Sequence, residues 1–518
     1  MNVGDWIRKR SIVSPGSIAM IYVDGKKETQ FTYRTLNDRT NRAANHLLAK
    51  GVEKGDRVAA LLFNCNEFLE IYFACAKLGV IFVPLNWRLA SQELEYQLCD
   101  SGSRFLVVHG AFQDKIDPIR SKIPVQEGNF CIVGGRALPW GSKYEDILLM
   151  YPDTEPKTKE EVGLEDPQMI MYTSGATGIP KGVLMSHRKT LFNTLNADIY
   201  YDSLRPEDRF FSPLPLFHSG GLLMMATPIL YRGGTYITTR TFDPGQCLKL
   251  IEKYRVTIFV AMATMMNMIL NSTRVEDYNL SSLRYVLSGG EKTPLSLFER
   301  LSEKGIYFTQ AFGQTENSSI LVLPYQDASR KRGSVGLPVF HCEVKLIDEQ
   351  GNEISRGSIG EIVVKGPTVM TGYWNKPEET SKTIINGWLH TGDLGRTDEE
   401  GYFYIVDRKK DMYRSGGENV YPAEIEKVLY NHPKILEAAI IGVPDERWGE
   451  TGKAFIVLKS GEEMTKEEVM QFLIGKIGKY KFPTYVEFVK NLPHTESGKV
   501  RKVTLMEGER SDLGKPLG

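Results

Sequence analysis

Apolar residues recur at helical and at strand spacing by turns through the first 400 positions, the pattern of a layered α/β domain in which helices cover a sheet. Between Asn66 and Gly79, Phe68, Ile71, Tyr72, Cys75 and Leu78 recur at helical spacing, with Asn66 placed to cap the start and Gly79 to close the end. Short apolar runs at 81–84, 169–173, 257–262 and 283–287 predict buried strands, and several end in clusters of Gly, Ser and Thr. Ligands of open α/β sheets lie beyond the carboxyl ends of the strands, so the chemistry is sought in those clusters.

From Glu343 the pattern shifts to short alternating strands with turn sequences at 349–352 (EQGN) and 399–401 (EEG), which predict hairpins. A small α/β unit closes the chain, with helices at 422–430 and from Thr465, where Thr465 and Glu468 have the spacing of a capping box. The charged run 407–411 (DRKKD) is taken as the boundary between a domain spanning 1–409 and a second spanning 410–518, although on charge alone a solvated turn is the preferred reading.

Length agrees with two domains, since 518 residues exceed one ordinary core. Lys plus Arg and Asp plus Glu each total 64, so the formal charge is zero, which argues against nucleic acid or an anionic membrane as the main partner. The six cysteines (Cys65, Cys75, Cys99, Cys131, Cys247, Cys342) have no CxxC pair or metal-ligand spacing and read as reduced thiols of a cytoplasmic protein. Residues 1–10 lack a signal-peptide core, and the apolar stretch 214–230 is broken by His218, glycines and prolines, so no transmembrane segment is predicted.

The sharpest local signal is YTSGATGIPKGV at 172–183, where an apolar run enters a loop of Gly, Ser and Thr bearing one lysine. Glycines let backbone N–H groups approach phosphate oxygens, hydroxyls add donors, and Lys181 supplies compensating charge. The P-loop of NTPases needs Lys followed by Ser or Thr, whereas Lys181 lies between Pro180 and Gly182, so that alternative is set aside. Further motifs follow in order: QAFGQTE at 310–316, TGD at 391–393, DR at 407–408, SGGENVYPAEIE at 415–426 and SGK at 497–499.

Together these segments resemble the signatures of AMP-forming acyl-CoA synthetases of the adenylate-forming (ANL) superfamily. The resemblance covers nearly the whole chain. It implies an α/β fold with a large multi-lobed N-terminal domain of β-sheets and helices, plus a small mobile C-terminal α+β lid domain. The implied reaction activates a carboxylic acid with ATP and Mg²⁺ to acyl-AMP and pyrophosphate, then passes the acyl group to coenzyme A.

By that resemblance Thr173, Ser174, Gly175, Ala176, Thr177, Gly178 and Lys181 hold the β and γ phosphates. Thr315 donates to the α-phosphate, and Glu316 with Thr173 places Mg²⁺. Phe312 stacks on adenine, in a purine pocket formed by Gly290, Glu291, Gln310, Ala311 and Gly313. Asp393 accepts from the ribose hydroxyls with help from Arg408. Lys499 is the catalytic residue of the first step, because an ammonium bridging carboxylate and α-phosphate stabilises the developing charge; His494 stands where relatives carry another basic residue.

Lys410 occupies the hinge position, and Arg414, Ser415, Gly416 and Gly417 face the CoA thiol. His218 gates between acyl pocket and thiol channel, where a core histidine is the plainer alternative. Phe217, Met262, Thr264, Met265, Gly289 and Ala311 line an apolar acyl pocket with no counter-charge, which favours a fatty, alicyclic or aromatic monocarboxylate. Met262, Met265, Met266 and Met268 fit either an adaptable wall or ordinary core packing. A luciferase-like enzyme, a carrier-protein-directed enzyme and a non-catalytic binding protein share the motifs, and a homodimer stays open.

Overall fold

The buried strands pair into two large sheets in a computed structural model that describes residues 2–136, 138–173, 180–200, 204–272, 274–289, 295–415, 418–445, 448–474, 476–494 and 500–513. In one sheet the strands run in the order Gly372–Tyr373, Lys181–Ser186, Pro167–Thr173, Ile81–Pro84, Arg57–Leu61, Phe105–His109, Phe130–Val133 and Ser142–Lys143. Pairing is parallel from Pro167–Thr173 onward, and the first two strands are antiparallel additions at one edge. In the other sheet Phe308–Gln314, Tyr285–Gly289, Ile258–Val260, Arg209–Phe211, Thr235–Thr239 and Ile18–Asp24 are successive parallel neighbours, with Ser318–Val322 antiparallel beside Phe308–Gln314. Both sheets belong to one compact unit, Met1–Val344 with Val364–Leu389.

Each sheet buries its own core. Leu61, Val83, Leu106, Phe130 and Ile170 pack together in the first, Phe211, Phe259, Met266, Val286 and Phe308 in the second. Each such side chain contributes about 1.5–3 kcal/mol relative to exposure. The helix expected here forms as Asn66–Leu78 and is buried on nearly every side. Its N-cap is Cys65, while the Asn66 amide turns inward and donates to Glu70 at 2.8 Å; Gly79 closes the helix in the left-handed region at φ 69°. Two strand ends also move: the expected 257–262 shortens to Ile258–Val260, and 283–287 becomes Tyr285–Gly289 because Leu283 closes a turn on Leu280.

No helix among the described residues is long and apolar enough to cross a membrane. The stretch 214–230 instead contains Ser219–Gly221, a π-helical segment Leu222–Ala226 and the start of helix Thr227–Arg232. All six cysteines are free.

The second unit comprises Lys345–Val363 and His390–Gly518. Strands Trp388–Thr397 and Phe403–Arg408 form a hairpin across 399–401, whereas the turn at 349–352 closes only a single bridge, Ile347 with Glu353. Five strands, among them Gly449–Leu458 and Ile435–Asp445, make a further sheet under helices Pro422–Leu429 and Lys466–Leu473. Thr465 and Glu468 make both capping-box bonds, 3.2 and 2.7 Å. Compactness divides the chain after 344, 363 and 389.

Candidate active site

Strand Pro167–Thr173 delivers the chain to the Gly/Ser/Thr loop of the first motif, and strand Lys181–Ser186 leads it away. Ser174, Gly175, Ala176, Thr177 and Gly178 lie outside the described residues, as do Gly290, Glu291, Gly416, Gly417 and Lys499. The two ends of the loop are held together: Thr173 pairs with Lys181, and the Thr173 hydroxyl lies 3.5 Å from the Lys181 carbonyl. The Lys181 ammonium pairs with Glu379 at 2.5 Å and sits 5.1 Å from the centre of the Tyr373 ring. Tyr373 is fixed by its strand register with Val183, and its hydroxyl donates to Glu316 Oε1 at 3.0 Å. One tyrosine therefore joins the lysine of the first motif to the carboxylate of the second. Burial, with Glu316 beside it, pushes the Tyr373 phenol up, so it stays a donor.

The second motif is a tight hairpin. Strands Phe308–Gln314 and Ser318–Val322 pair Gly313 with Ser319 and Gln314 with Ser318, which leaves Thr315 and Glu316 half-buried at the tip. Gly313 is obligatory, since a Cβ there would lie 1.7 Å from the Ser318 carbonyl oxygen. The Asn317 side chain accepts from Gln314 N–H at 2.8 Å, and the Glu316 carbonyl accepts from Met370 N–H at 2.7 Å. Gln310 is buried and donates to the Ser334 carbonyl, while Phe312 is half-buried, as stacking on a base requires.

Beneath this hairpin lies Lys189, fully buried at the start of helix His187–Tyr200 and bonded to the Ser318 hydroxyl at 2.6 Å. Burial pushes its amine down to about 7, with Glu316 opposing the shift.

The expected acyl wall follows the sheet order. Ala311 stands opposite Gly289 in register; Met262 and Phe217 follow the ends of the next two strands, Ile258–Val260 and Arg209–Phe211. Phe217 and Ala311 are buried, Met262, Met265 and Gly289 half-buried, and Thr264 exposed. Met266 belongs to the core and Met268 is 52 % exposed, so of the four methionines only Met262 and Met265 suit a wall. His218 is half-buried with its ring 4.5 Å from that of Phe217. Buried Asn64, which the sequence did not single out, holds this loop through Leu214 and Leu216 at 3.0 and 2.8 Å.

In the second unit Asp393 is nearly inaccessible and accepts from Arg408 Nε at 2.6 Å; the two residues face each other across paired strands. Asp407 accepts from Ala423 N–H at 2.8 Å, and burial holds its carboxyl above the ordinary value. Lys410 is exposed. Ser415 is buried, and Arg414 donates to Glu349 at 2.8 Å and to Asn419 at 3.3 Å.

With this geometry in place the comparisons become specific. The model of the AMP-binding enzyme family matches residues 8–374, and that of the AMP-binding enzyme C-terminal domain matches 424–499. The chain belongs to the AMP-binding enzyme family. A feruloyl-CoA synthase from Amycolatopsis sp is 40% identical over 96% of this chain and 97% of its own. An indoleacetate–CoA ligase from Aromatoleum aromaticum is 38% identical over 97% of each. Among solved structures, o-succinylbenzoate CoA synthetase from Bacillus subtilis bound to its acyl-adenylate intermediate superposes with a TM-score of 0.86 at 33% identity, covering 96% of this chain and 97% of that one. The same synthetase has been solved with ATP and magnesium ion.

This member of the family is an AMP-forming carboxylate–CoA ligase of the ANL fold, working on ATP, a carboxylic acid and coenzyme A with Mg²⁺. Its donor set fits that ion. Among the described residues no group of three or more His, Cys, Asp or Glu could hold a metal. Magnesium commonly takes one or two carboxylates and completes its shell with phosphate and water oxygens, a role that the half-buried Glu316 carboxylate suits.

Proposed function

We propose that the ligase activates aromatic carboxylic acids, and that the motif residues divide the work as follows. Lys181 and the 173–178 loop grip the β and γ phosphates, Thr315 donates to the α-phosphate, and Glu316 with Thr173 supplies oxygens to Mg²⁺. That ion, when bound, neutralises phosphate charge. Phe312 stacks on the base, Gln310, Ala311, Gly313, Gly290 and Glu291 enclose it, and Asp393 with Arg408 takes the ribose. Lys499 stabilises charge as the carboxylate attacks the α-phosphate. The observation that carries the nucleotide part of this reading is the convergence of Lys181 and Glu316 on Tyr373, which brings two motifs 135 residues apart to one place where a single triphosphate and its metal can meet both.

For thioester formation the lid turns about Lys410, bringing Arg414, Ser415, Gly416 and Gly417 to the thiol, while His218 gates its path. The apolar wall of Phe217, Met262, Met265, Gly289 and Ala311, with Thr264 at its margin, suits a hydrophobic acid, and the choice of an aromatic one rests on the acids named in the relatives at 40% and 38% identity. The free thiols fit a cytoplasmic enzyme, and light scattering tests for a homodimer.

The test is ATP–pyrophosphate exchange across fatty, alicyclic and aromatic acids, with mass spectrometry of the product with and without CoA. Exchange and an acyl-CoA product with aromatic acids support the assignment; preference for a long aliphatic acid overturns the substrate class. Lys499→Ala is expected to abolish exchange and spare thioester formation from supplied acyl-adenylate. Equal loss of both steps removes Lys499 from its role.

A further inference from the structure

Lys189 has no part in the scheme above, yet it is the most unusual ionisable group near the site. It has no exposed surface, and among the described residues no carboxylate bonds to its amine, whose one hydrogen-bond partner is the hydroxyl of Ser318 at 2.6 Å. Ser318 is itself exceptional. Among the described residues only four other than glycine have positive φ, and Ser318, at 58°, is one of them. L-residues adopt that conformation at a cost, so a neighbouring contact must hold it there.

The same residue closes the hairpin that carries Thr315 and Glu316. Its carbonyl lies so near Gly313 that no side chain fits between, and its backbone pairs with Gln314. The interior here is sparing with other bonds, since Asn317 Nδ2 and Ser319 Oγ are buried without partners among the described residues. A buried amine reaching from the helix that follows the Lys181 strand thus adds a long-range fastening to a turn otherwise held locally by the Asn317 side chain on Gln314 N–H. From the other side Tyr373 holds the Glu316 carboxylate and Met370 N–H its carbonyl.

We propose that Lys189 is a positioning residue for the nucleotide–metal site, acting through Ser318 to set the backbone of the hairpin and so the placement of Thr315 and Glu316. The proposal rests on the assignment of those two residues to ATP and Mg²⁺. It predicts a larger defect in metal–nucleotide binding than in the acyl pocket, because Lys189 acts at the turn end of the hairpin, whereas of the acyl wall only Ala311 lies on its strands and Phe217 and Met262 follow others.

The experiment compares wild type with Lys189→Met, Ser318→Ala and the double variant. Two readouts are taken: the dissociation constant for Mn²⁺·ATP without acid, from the paramagnetic resonance of free Mn²⁺, and the Mg²⁺ dependence of ATP–pyrophosphate exchange. Both single variants are expected to weaken Mn²⁺·ATP binding about 5–20-fold, with KM for the acid within about twofold and the double variant no worse than Lys189→Met, as for residues acting through one contact. Should Lys189→Met fail to fold, Ser318→Ala, which leaves the amine in place, carries the test. Unchanged Mn²⁺·ATP affinity in a folded single variant overturns the proposal, as do additive losses in the double. A wild type that binds no Mn²⁺·ATP instead overturns the site assignment on which it rests.

Discussion

Lys181 and Lys189 leave the same strand-to-helix unit eight residues apart, and the protein treats them in opposite ways. Lys181 keeps 17% of its side chain exposed, pairs with a carboxylate and lies near an aromatic ring. Lys189 is wholly enclosed and meets a neutral hydroxyl. The first arrangement suits a cation that changes partners: Glu379 is only partly buried, and the hydrogen bond from Lys181 holds its carboxyl below the ordinary value, an ion pair that on the proposed assignment a phosphate displaces. The second suits a fixture, because an enclosed amine cannot trade its bond for water. Charge near a site thus serves either contact or construction, and burial decides which.

The largest break in this contrast is expected from Lys181→Met, which removes a preorganised cation. The value of kcat/KM for ATP in pyrophosphate exchange is predicted to fall about 100-fold, the scale of losing one donor to developing charge. Next is His187, the buried residue just before the Lys189 turn, which burial pushes down to about 4. Its unfolded value is near 6.5, so between pH 6.5 and 4 the unfolded chain binds the extra proton. Stability from this group is complete above 6.5 and declines as pH falls toward 4. Between pH 7 and 5 that amounts to about 2 kcal/mol, and urea unfolding of His187→Gln should show a pH dependence flatter by that amount. A smaller effect, about 5-fold in the Mg²⁺ concentration for half-maximal exchange, is predicted for Tyr373→Phe, which removes one hydrogen bond of about 1 kcal/mol. Smallest is Glu379→Gln: freeing Lys181 from a competing partner should lower KM for ATP about 2-fold, and a rise would make Glu379 a support instead.

What the sequence disclosed depends on how local each signal is. The capping box at Thr465 and Glu468 and the left-handed Gly79 need only their own turns to be read, and both are made as the pattern predicts. The phosphate loop and the QTE hairpin were legible because each packs several chemical constraints into a few residues, Gly313 among them. Tyr373 and Glu379 gave no such signal. They reach Lys181 through the edge pairing of Gly372–Tyr373 with Val183 and Leu184 and through the helix that follows, contacts nearly two hundred residues apart that no window of sequence contains. Lys189 was hidden for another reason: His-Arg-Lys reads as a solvated triplet until the helix is docked, when its first and third members turn inward and Arg188 stays outside. Asn66 illustrates the same limit, since its capping oxygen and its inward bond to Glu70 are equally good uses of one amide.

The return of residues 364–389 to the first unit also sets an order of events on the ribosome. The strand bearing Lys181 emerges long before its edge partner, and at about 5–20 residues per second the 198 residues separating Lys181 from Glu379 take roughly 10–40 s to synthesise. During that interval the nascent chain holds a nearly complete sheet with one uncapped edge and an unpaired lysine beside it. That edge is where a chaperone would be needed, and a stall before residue 372 would leave a product with strand Lys181–Ser186 but without its edge partner and the Tyr373 anchor.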